Sequence, residues 1–264
     1  MVKLAANLSM MFTESDFLDR FAAAHKAGFD AVEYLFPYAY DKNDIAARLA
    51  DNKLRQVLFN IFPGNWDKGE RGICALPGRE NEFQKAVDQA LDYAAALKCP
   101  RIHVMSGIVP SGVEFARCEA VEIENLKFAA RQAASTNVTL VLEPLNTTDF
   151  PGYFLTSVPQ AKAVIEAVGA PNLRIQFDIY HQQMQHGAIA ATLKAHYPLV
   201  EHVQIAGSPG RHEPDGTQEI NTKYLFGVLD ELGYGGWVGC EYRPRAGTVA
   251  GLGWTREWGI AACA

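Results

Sequence analysis

Short β-rich apolar runs alternate with helix-periodic segments from one end of the chain to the other. The runs at 3–7, 30–34, 54–60, 101–105, 138–143, 173–178, 200–204 and 237–241 read as eight strands. Between them, Phe83, Val87, Leu91, Ala94 and Leu97 recur at steps of three and four, which places them on one helix face. Ile123, Leu126, Ala130 and Ala133 repeat the pattern. Ser157-Val158-Pro159-Gln160 has capping-box spacing with a proline in the first turn, and Gly169 closes that helix. Gly28 and Gly233 end the helices before the second and eighth strands in the same way.

Each interval between consecutive strand ends can hold a loop, a helix and a return, which parallel strands require. Eight such units in 264 residues predict a single (β/α)8 TIM barrel spanning 1–264 as one α/β domain. The rival, a doubly wound open sheet, usually has fewer strands. It often carries a glycine-rich first turn, whereas here the first strand runs into Asn7-Leu8-Ser9. Two connections are unusually long, 61–79 after the third strand and 205–220 after the seventh. Both fall on the C-terminal face, where barrel enzymes place their sites.

Four consecutive strands end in an oxygen ligand: Glu143, Asp178, Gln204 and Glu241. In a closed barrel these strands are neighbours, so the four side chains converge at one axial position. Three carboxylates there would repel one another in a poorly hydrated cavity, and a divalent cation relieves that repulsion. An all-oxygen set suits a hard ion, Mg2+ or Mn2+, better than zinc. Taken singly, an acid at a strand end is more simply a helix cap or a solvated charge. The run of four is what points to a centre.

Composition narrows the partners. Hydrophobic residues make up 48% and charged residues 20%, as in an ordinary soluble globular protein. Lys+Arg number 24 against 30 Asp+Glu, a net charge of -6 that argues against a nucleic-acid partner. No apolar run reaches the ~18 residues of a membrane span, so no membrane association is expected. The segment 4–12 is broken by Asn7 and Ser9 and followed by Glu14, Asp16 and Asp19, which is not a secretory signal. Cys74, Cys99, Cys118, Cys240 and Cys263 are odd in number and widely spaced. They read as reduced thiols of a cytoplasmic protein.

The residues around the four ligands carry a resemblance. Asn7-Leu8-Ser9-Met10, Glu143-Pro144-Leu145-Asn146, Asp178-Ile179-Tyr180-His181, His202-Val203-Gln204-Ile205-Ala206 and Gly210-Arg211-His212-Glu213-Pro214 are the clearest stretches. With segments 36–38, 69–73, 77–80, 219–221 and 236–242, they resemble the hydroxypyruvate isomerase family of the xylose isomerase-like barrel superfamily. The similar 2-oxo-tetronate isomerases share these motifs, and the likeness covers nearly the whole chain. The resemblance implies that Glu143 and Glu241 are the proton donor and acceptor and also metal ligands, with Asp178 and Gln204 completing the coordination. Sugar epimerases and apurinic-site endonucleases of the superfamily usually carry a histidine where Gln204 stands. That departure favours the isomerase branch.

The expected reaction moves a carbonyl between adjacent carbons of a small anionic hydroxy-oxo acid through a cis-enediol(ate), most simply hydroxypyruvate to tartronate semialdehyde. A four-carbon 2-oxo-tetronate is the nearest alternative. A ketose 3-epimerase, an apurinic-site endonuclease and a non-catalytic sugar-acid binding protein rank behind it. Substrate-binding candidates are His181, three residues after Asp178, and Asn60 and His103 at the ends of strands three and four. Arg71 and Lys68 on the first long loop and Arg211 on the second are candidates for the substrate carboxylate, since a guanidinium offers it a bidentate fork. His202 shares the strand face of Gln204 one layer deeper and is expected to be packed there. The aromatic stretch 34–40 and Trp66 are candidate walls of the cleft, and a homo-oligomer is expected by analogy with the superfamily.

Overall fold

The computed structural model describes residues 1–260. The eight strands are β1 (Lys3–Asn7), β2 (Ala31–Glu33), β3 (Arg55–Asn60), β4 (Arg101–His103), β5 (Thr139–Leu142), β6 (Leu173–Asp178), β7 (Val200–Ile205) and β8 (Trp237–Cys240). They form a closed barrel in sequence order, and parallel pairing of β1 with β8 completes the ring. The helices outside it are α1 (Arg20–Lys26), α2 (Lys42–Asp51), α3 (Glu80–Leu97), α4 (Phe115–Ala133), α5 (Val158–Val168), α6 (Ile179–Gln185), α7 (Ile189–His196), α8 (Thr222–Glu231) and α9 (Thr248–Gly251). This is the (β/α)8 architecture expected from the strand count. Among the described residues no helix is long and apolar enough to cross a membrane. Cys74, Cys99, Cys118 and Cys240 are free and buried, and Cys263 lies outside the described residues.

The main core lies between barrel and helices, where α3 buries Phe83, Ala86, Val87, Ala90, Ala94 and Leu97 against it. In α5, Ser157 caps the N-terminus by accepting from the Gln160 amide at 3.3 Å, and Gly169 ends the helix with φ 72°. The Gln160 side chain departs from the expected capping box. Its oxygen accepts from Thr156 N and its nitrogen donates to the Phe154 carbonyl, so it pins the incoming loop as well as the helix.

Inside the barrel the two-residue period of each strand stacks side chains in layers. Ala5, Ala31, Val57, Leu58 and Val141 form a separate apolar cluster closed by Trp237. Two residues further along their strands, Ala5, Ala31 and Val141 give way to Asn7, Glu33 and Glu143. The lumen therefore changes from apolar to polar toward its C-terminal mouth.

Six strands differ by one or two residues from their sequence expectation, and three of those differences, in β4, β5 and β8, bear on the site. β5 and β8 stop one residue before Glu143 and Glu241, which begin the connecting loops. β4 ends at His103 because the chain beyond it turns toward the loop 61–79: the carbonyls of Met105 and Ser106 accept from Cys74 N and Ala75 N. That loop is tied down along its length. Arg79 bridges Glu70 at 2.8 Å and Glu82 at 2.5 Å, and Gly72 forms an antiparallel bridge with Ser106.

Gly72 has φ 116°, and a Cβ there would lie 2.4 Å from the Met105 carbonyl oxygen. Gly72→Ala is therefore expected to cost on the order of 1–3 kcal/mol by combining strain with loss of loop docking. Denaturant unfolding checks this, and an unchanged midpoint would refute it.

Candidate active site

Glu143, Asp178 and Glu241 follow or end β5, β6 and β8 and meet at the mouth of the barrel, nearly excluded from solvent. One ligand atom from each of these residues, and one from His181, all lie within 4.8 Å of one another. Burial raises the pKa of all three carboxyls above the ordinary carboxylate range. For Glu143 the charges of Glu241 and Asp178 add to the effect. For Asp178 and Glu241 the nearby Arg211 guanidinium works in the opposite direction. Three acids crowded out of water need a positive partner, whatever the chemistry.

Arg211 supplies part of it. Its Nη2 donates to Glu241 Oε2 at 2.5 Å and lies 3.7 Å from Asp178 Oδ2, and the guanidinium faces the Tyr180 ring at 5.0 Å. The turn that delivers it is fixed by backbone bonds from Gly207 N to the His212 carbonyl and from Arg243 N to the Arg211 carbonyl. Arg211 itself sits in the left-handed region at φ 53°. A Cβ on Gly207 would come within 2.6 Å of the Glu213 carbonyl, so the turn depends on that glycine.

The charge is still not fully balanced locally. Glu143 Oε1 and Asp178 Oδ2 are buried with no hydrogen-bond partner. Orphaned carboxylate oxygens facing a common centre fit a divalent cation, so this cluster could hold a metal ion.

His181, at the start of α6, contributes a proton donor and not a ligand lone pair. Its Nδ1 accepts from Asn146 N at 3.1 Å and faces the Asn146 amide nitrogen at 2.7 Å, which leaves the ring proton on Nε2. Nε2 lies 3.7 Å from Asp178 Oδ2 and faces the centre as an N–H. Burial, then the Arg211 charge, push the His181 pKa well below its usual value, so the ring is neutral. His103 is likewise neutral, with its pKa lowered to about 3 by burial and by His202. His103 Nδ1 lies 3.4 Å from Glu143 Oε2. Asn60 is buried beside it, because β3 and β4 pair Asn60 with His103.

Of the remaining candidates, Gln204 is paired with Asp178 across β6 and β7, while Arg71 and Lys68 stand apart from the cluster. Gln204 is 1% exposed and committed at both ends of its amide, with Oε1 accepting from Gln176 and Nε2 donating to Glu33. One lone pair of Oε1 is left over. Arg71 folds back on its own loop, donating to the carbonyls of Trp66 and Glu70 while its guanidinium stacks on Trp66 at 3.8 Å. Lys68 is exposed. Of the three basic loop residues, only Arg211 joins the cluster. Trp66 also packs on Phe36 at 5.0 Å, which joins the aromatic stretch to the first long loop.

Sequence reasoning left Glu33, Asn7 and Gln176 without a role. All three are buried among the cluster's supports. Their one sequence signal is the two-residue strand period, which puts a polar residue where an apolar one would otherwise fill the lumen. His202 takes the deeper position expected of it, 2.7 Å from Glu33 Oε2.

A family model described as the xylose isomerase-like TIM barrel matches residues 21–258. The chain belongs to the xylose isomerase-like TIM barrel family. Within that family it is 54% identical over 258 residues to a 2-oxo-tetronate isomerase of Cupriavidus necator, covering 98% of this chain and 99% of that protein. It is 45% identical over 254 residues to the hydroxypyruvate isomerase of Escherichia coli, covering 96% and 98%. A solved Brucella melitensis structure described as an AP endonuclease, family 2, superposes with a TM-score of 0.95 at 47% identity, covering 98% of this chain and 99% of that one. A D-psicose 3-epimerase from Clostridium cellulolyticum H10, at a TM-score of 0.75 and 16% identity, shares the fold. With such identity to full-length relatives named as isomerases, this family member is an enzyme of the aldose–ketose isomerase type.

Proposed function

We propose that the chain is a metal-dependent isomerase that moves a carbonyl between adjacent carbons of a small hydroxy-oxo acid. The observation that carries this reading is the pair of buried carboxyls, Glu143 and Glu241, brought to one centre from separate strands. In the simplest case one carboxylate takes a proton from the hydroxymethyl carbon of hydroxypyruvate. The other returns a proton to the former carbonyl carbon, while the hydroxyl proton passes to the neighbouring oxygen. Hydroxypyruvate becomes tartronate semialdehyde through a cis-enediol(ate), with no net gain or loss of atoms.

Burial suits both acids to this work. A carboxyl with a raised pKa is a stronger base when ionised, and it can also hold a proton near neutral pH. Positioned acid–base groups supply about 10²–10⁴-fold, equivalent to roughly 3–5 kcal/mol. Glu143, Asp178, Glu241 and the spare lone pair of Gln204 Oε1 would hold Mg2+ or Mn2+, hard ions that match oxygen donors. Such an ion supplies positive charge where the substrate oxygens become negative. The His181 Nε2–H is placed to donate to one of those oxygens. Arg211 has a buried Nε with no partner and is the donor we assign to the substrate carboxylate.

A four-carbon substrate is the second reading, supported by the 54% identity to a 2-oxo-tetronate isomerase. Hydrogen exchange from deuterated solvent into hydroxypyruvate and into 2-oxo-tetronate tests both. Deuterium is expected at the new carbinol carbon of the product formed from one of the two acids, and chelator is expected to lower the rate at least about a hundredfold. Exchange into neither acid would overturn the reading, and a chelator-insensitive rate would remove the metal from it.

A further inference from the structure

Below the carboxylate cluster lies a second polar layer built around Glu33, a fully buried side chain on β2. Its Oε1 accepts from Asn7 Nδ2 at 3.0 Å and from Gln204 Nε2 at 2.7 Å. Its Oε2 faces His202 Nε2 at 2.7 Å. These partners come from β1 and β7, so Glu33 reaches across the lumen in front of β8. The opening for it is Gly239, since a Cβ there would lie 2.3 Å from Glu33 Oε2 and 2.4 Å from Oε1. A residue without a side chain in β8 and a long acid in β2 are two halves of one device.

That device bears on the centre above it through two contacts. By holding Gln204 Nε2 from below, Glu33 fixes which end of the Gln204 amide can face a cation. Gln176 supports the same orientation by donating to Gln204 Oε1 at 2.6 Å. By holding Asn7, Glu33 also places an N–H within 3.3 Å of Glu241 Oε1. Released from Glu33, the Gln204 amide could rotate and turn its NH2 toward the centre, where a donor repels a cation. Asn7 would lose the second acceptor that sets its side-chain angle.

We propose that Glu33 is a positioning residue: reaching through the space left by Gly239, it fixes the Gln204 amide and Asn7 so that the site presents oxygen to a divalent cation. It touches neither the ion nor the substrate. The inference rests on the proposed metal-dependent function for its consequence, but the orientation of the amide is a property of the protein alone.

The test therefore has two readouts. In the metal-free protein, the Gln204 side-chain NH2 resonances are expected to be distinct and slow to exchange with water. In Glu33→Leu they are expected to merge or exchange at least tenfold faster. Calorimetric titration with Mn2+ is expected to show at least a tenfold loss of affinity in Glu33→Leu. Gly239→Ala, which crowds the carboxylate without removing it, should act in the same direction. Glu33→Gln is the conservative control. It keeps an oxygen toward Asn7 and Gln204, and His202 can meet its new NH2 by shifting its ring proton to Nδ1. Mn2+ affinity in Glu33→Gln should thus stay within about threefold of the unsubstituted protein.

Unchanged Gln204 exchange in both Glu33→Leu and Gly239→Ala overturns the positioning role, and Gly239→Ala and Glu33→Gln keep the test open if Glu33→Leu does not fold. Equal losses of affinity in Glu33→Gln and Glu33→Leu also overturn it, because the effect would then follow charge and not the oriented oxygen. Absence of Mn2+ binding by the unsubstituted protein, with a normal Gln204 signal, would instead count against the proposed function.

Discussion

Glu143→Gln and Glu241→Gln are each expected to lower turnover by at least about a hundredfold while leaving the fold intact. The amide is isosteric with the carboxyl but neither takes nor gives the proton, so the about 10²–10⁴-fold from acid–base action is lost. Stability should fall little, or even rise, because each substitution removes one of three crowded buried acids. Glu241→Gln also leaves the Arg211 guanidinium with a weaker acceptor in place of its 2.5 Å partner, and a rise in KM is expected alongside the fall in kcat. Glu143 has no such arginine contact, so its effect should fall mainly on kcat. Steady-state kinetics separates the two, and near-normal turnover in either variant would take that residue out of the mechanism.

The second large effect is on stability. Burial lifts the pKa of Asp178 to about 6 and that of Glu241 to about 8, against about 4 in an unfolded chain. With folded values above unfolded ones, these two groups bind more protons in the native state across that interval, and their contribution to the stability of the metal-free protein declines as pH rises from about 4 through 8. The contribution is fully present below the unfolded values and gone above the folded ones. A cation that binds the ionised carboxylates reverses the trend, and its affinity should rise with pH as protons leave. His103 and His181, held neutral by pKa values below the usual imidazole range, oppose the decline below about pH 6.5, so it is read above that value. Tm of the chelated protein is expected to fall by roughly 3 °C or more between about pH 6.5 and 8.5, at about 2–4 °C per kcal/mol for a chain of this size. Mg2+ or Mn2+ should restore it at pH 8 and add little at pH 5. A chelated protein whose Tm stays level from about pH 6.5 to 8.5 would refute the raised carboxyl pKa values.

How far the sequence reaches can be read from single residues. The strands were legible because each is an apolar run stopped by a polar residue. Glu143, Asp178 and Glu241 are such stops, so the same pattern that locates the barrel also locates its carboxylates. Arg211 could not be separated from Arg71 and Lys68, because all three are basic residues on long loops. What sets Arg211 apart is a left-handed backbone and a turn closed through Gly207, and neither has a periodicity. Glu33 and Gly239 are less legible still. Their partnership spans the lumen between strands far apart in the chain, and a glycine in a strand gives no hint of the acid that fills its space.

Ring closure carries a consequence for synthesis. Asn7 and Glu241 touch across 234 positions of sequence, through the β1–β8 seam. A nascent chain still lacking its final strand has its first strand unpaired along one edge, and Glu143 and Asp178 have no Glu241 to complete their centre. Nothing resembling the finished centre can exist until β8 and the Glu241 that follows it have been made. A chain stopped just before β8 would therefore hold seven of the eight strands and lack the second of its paired acids.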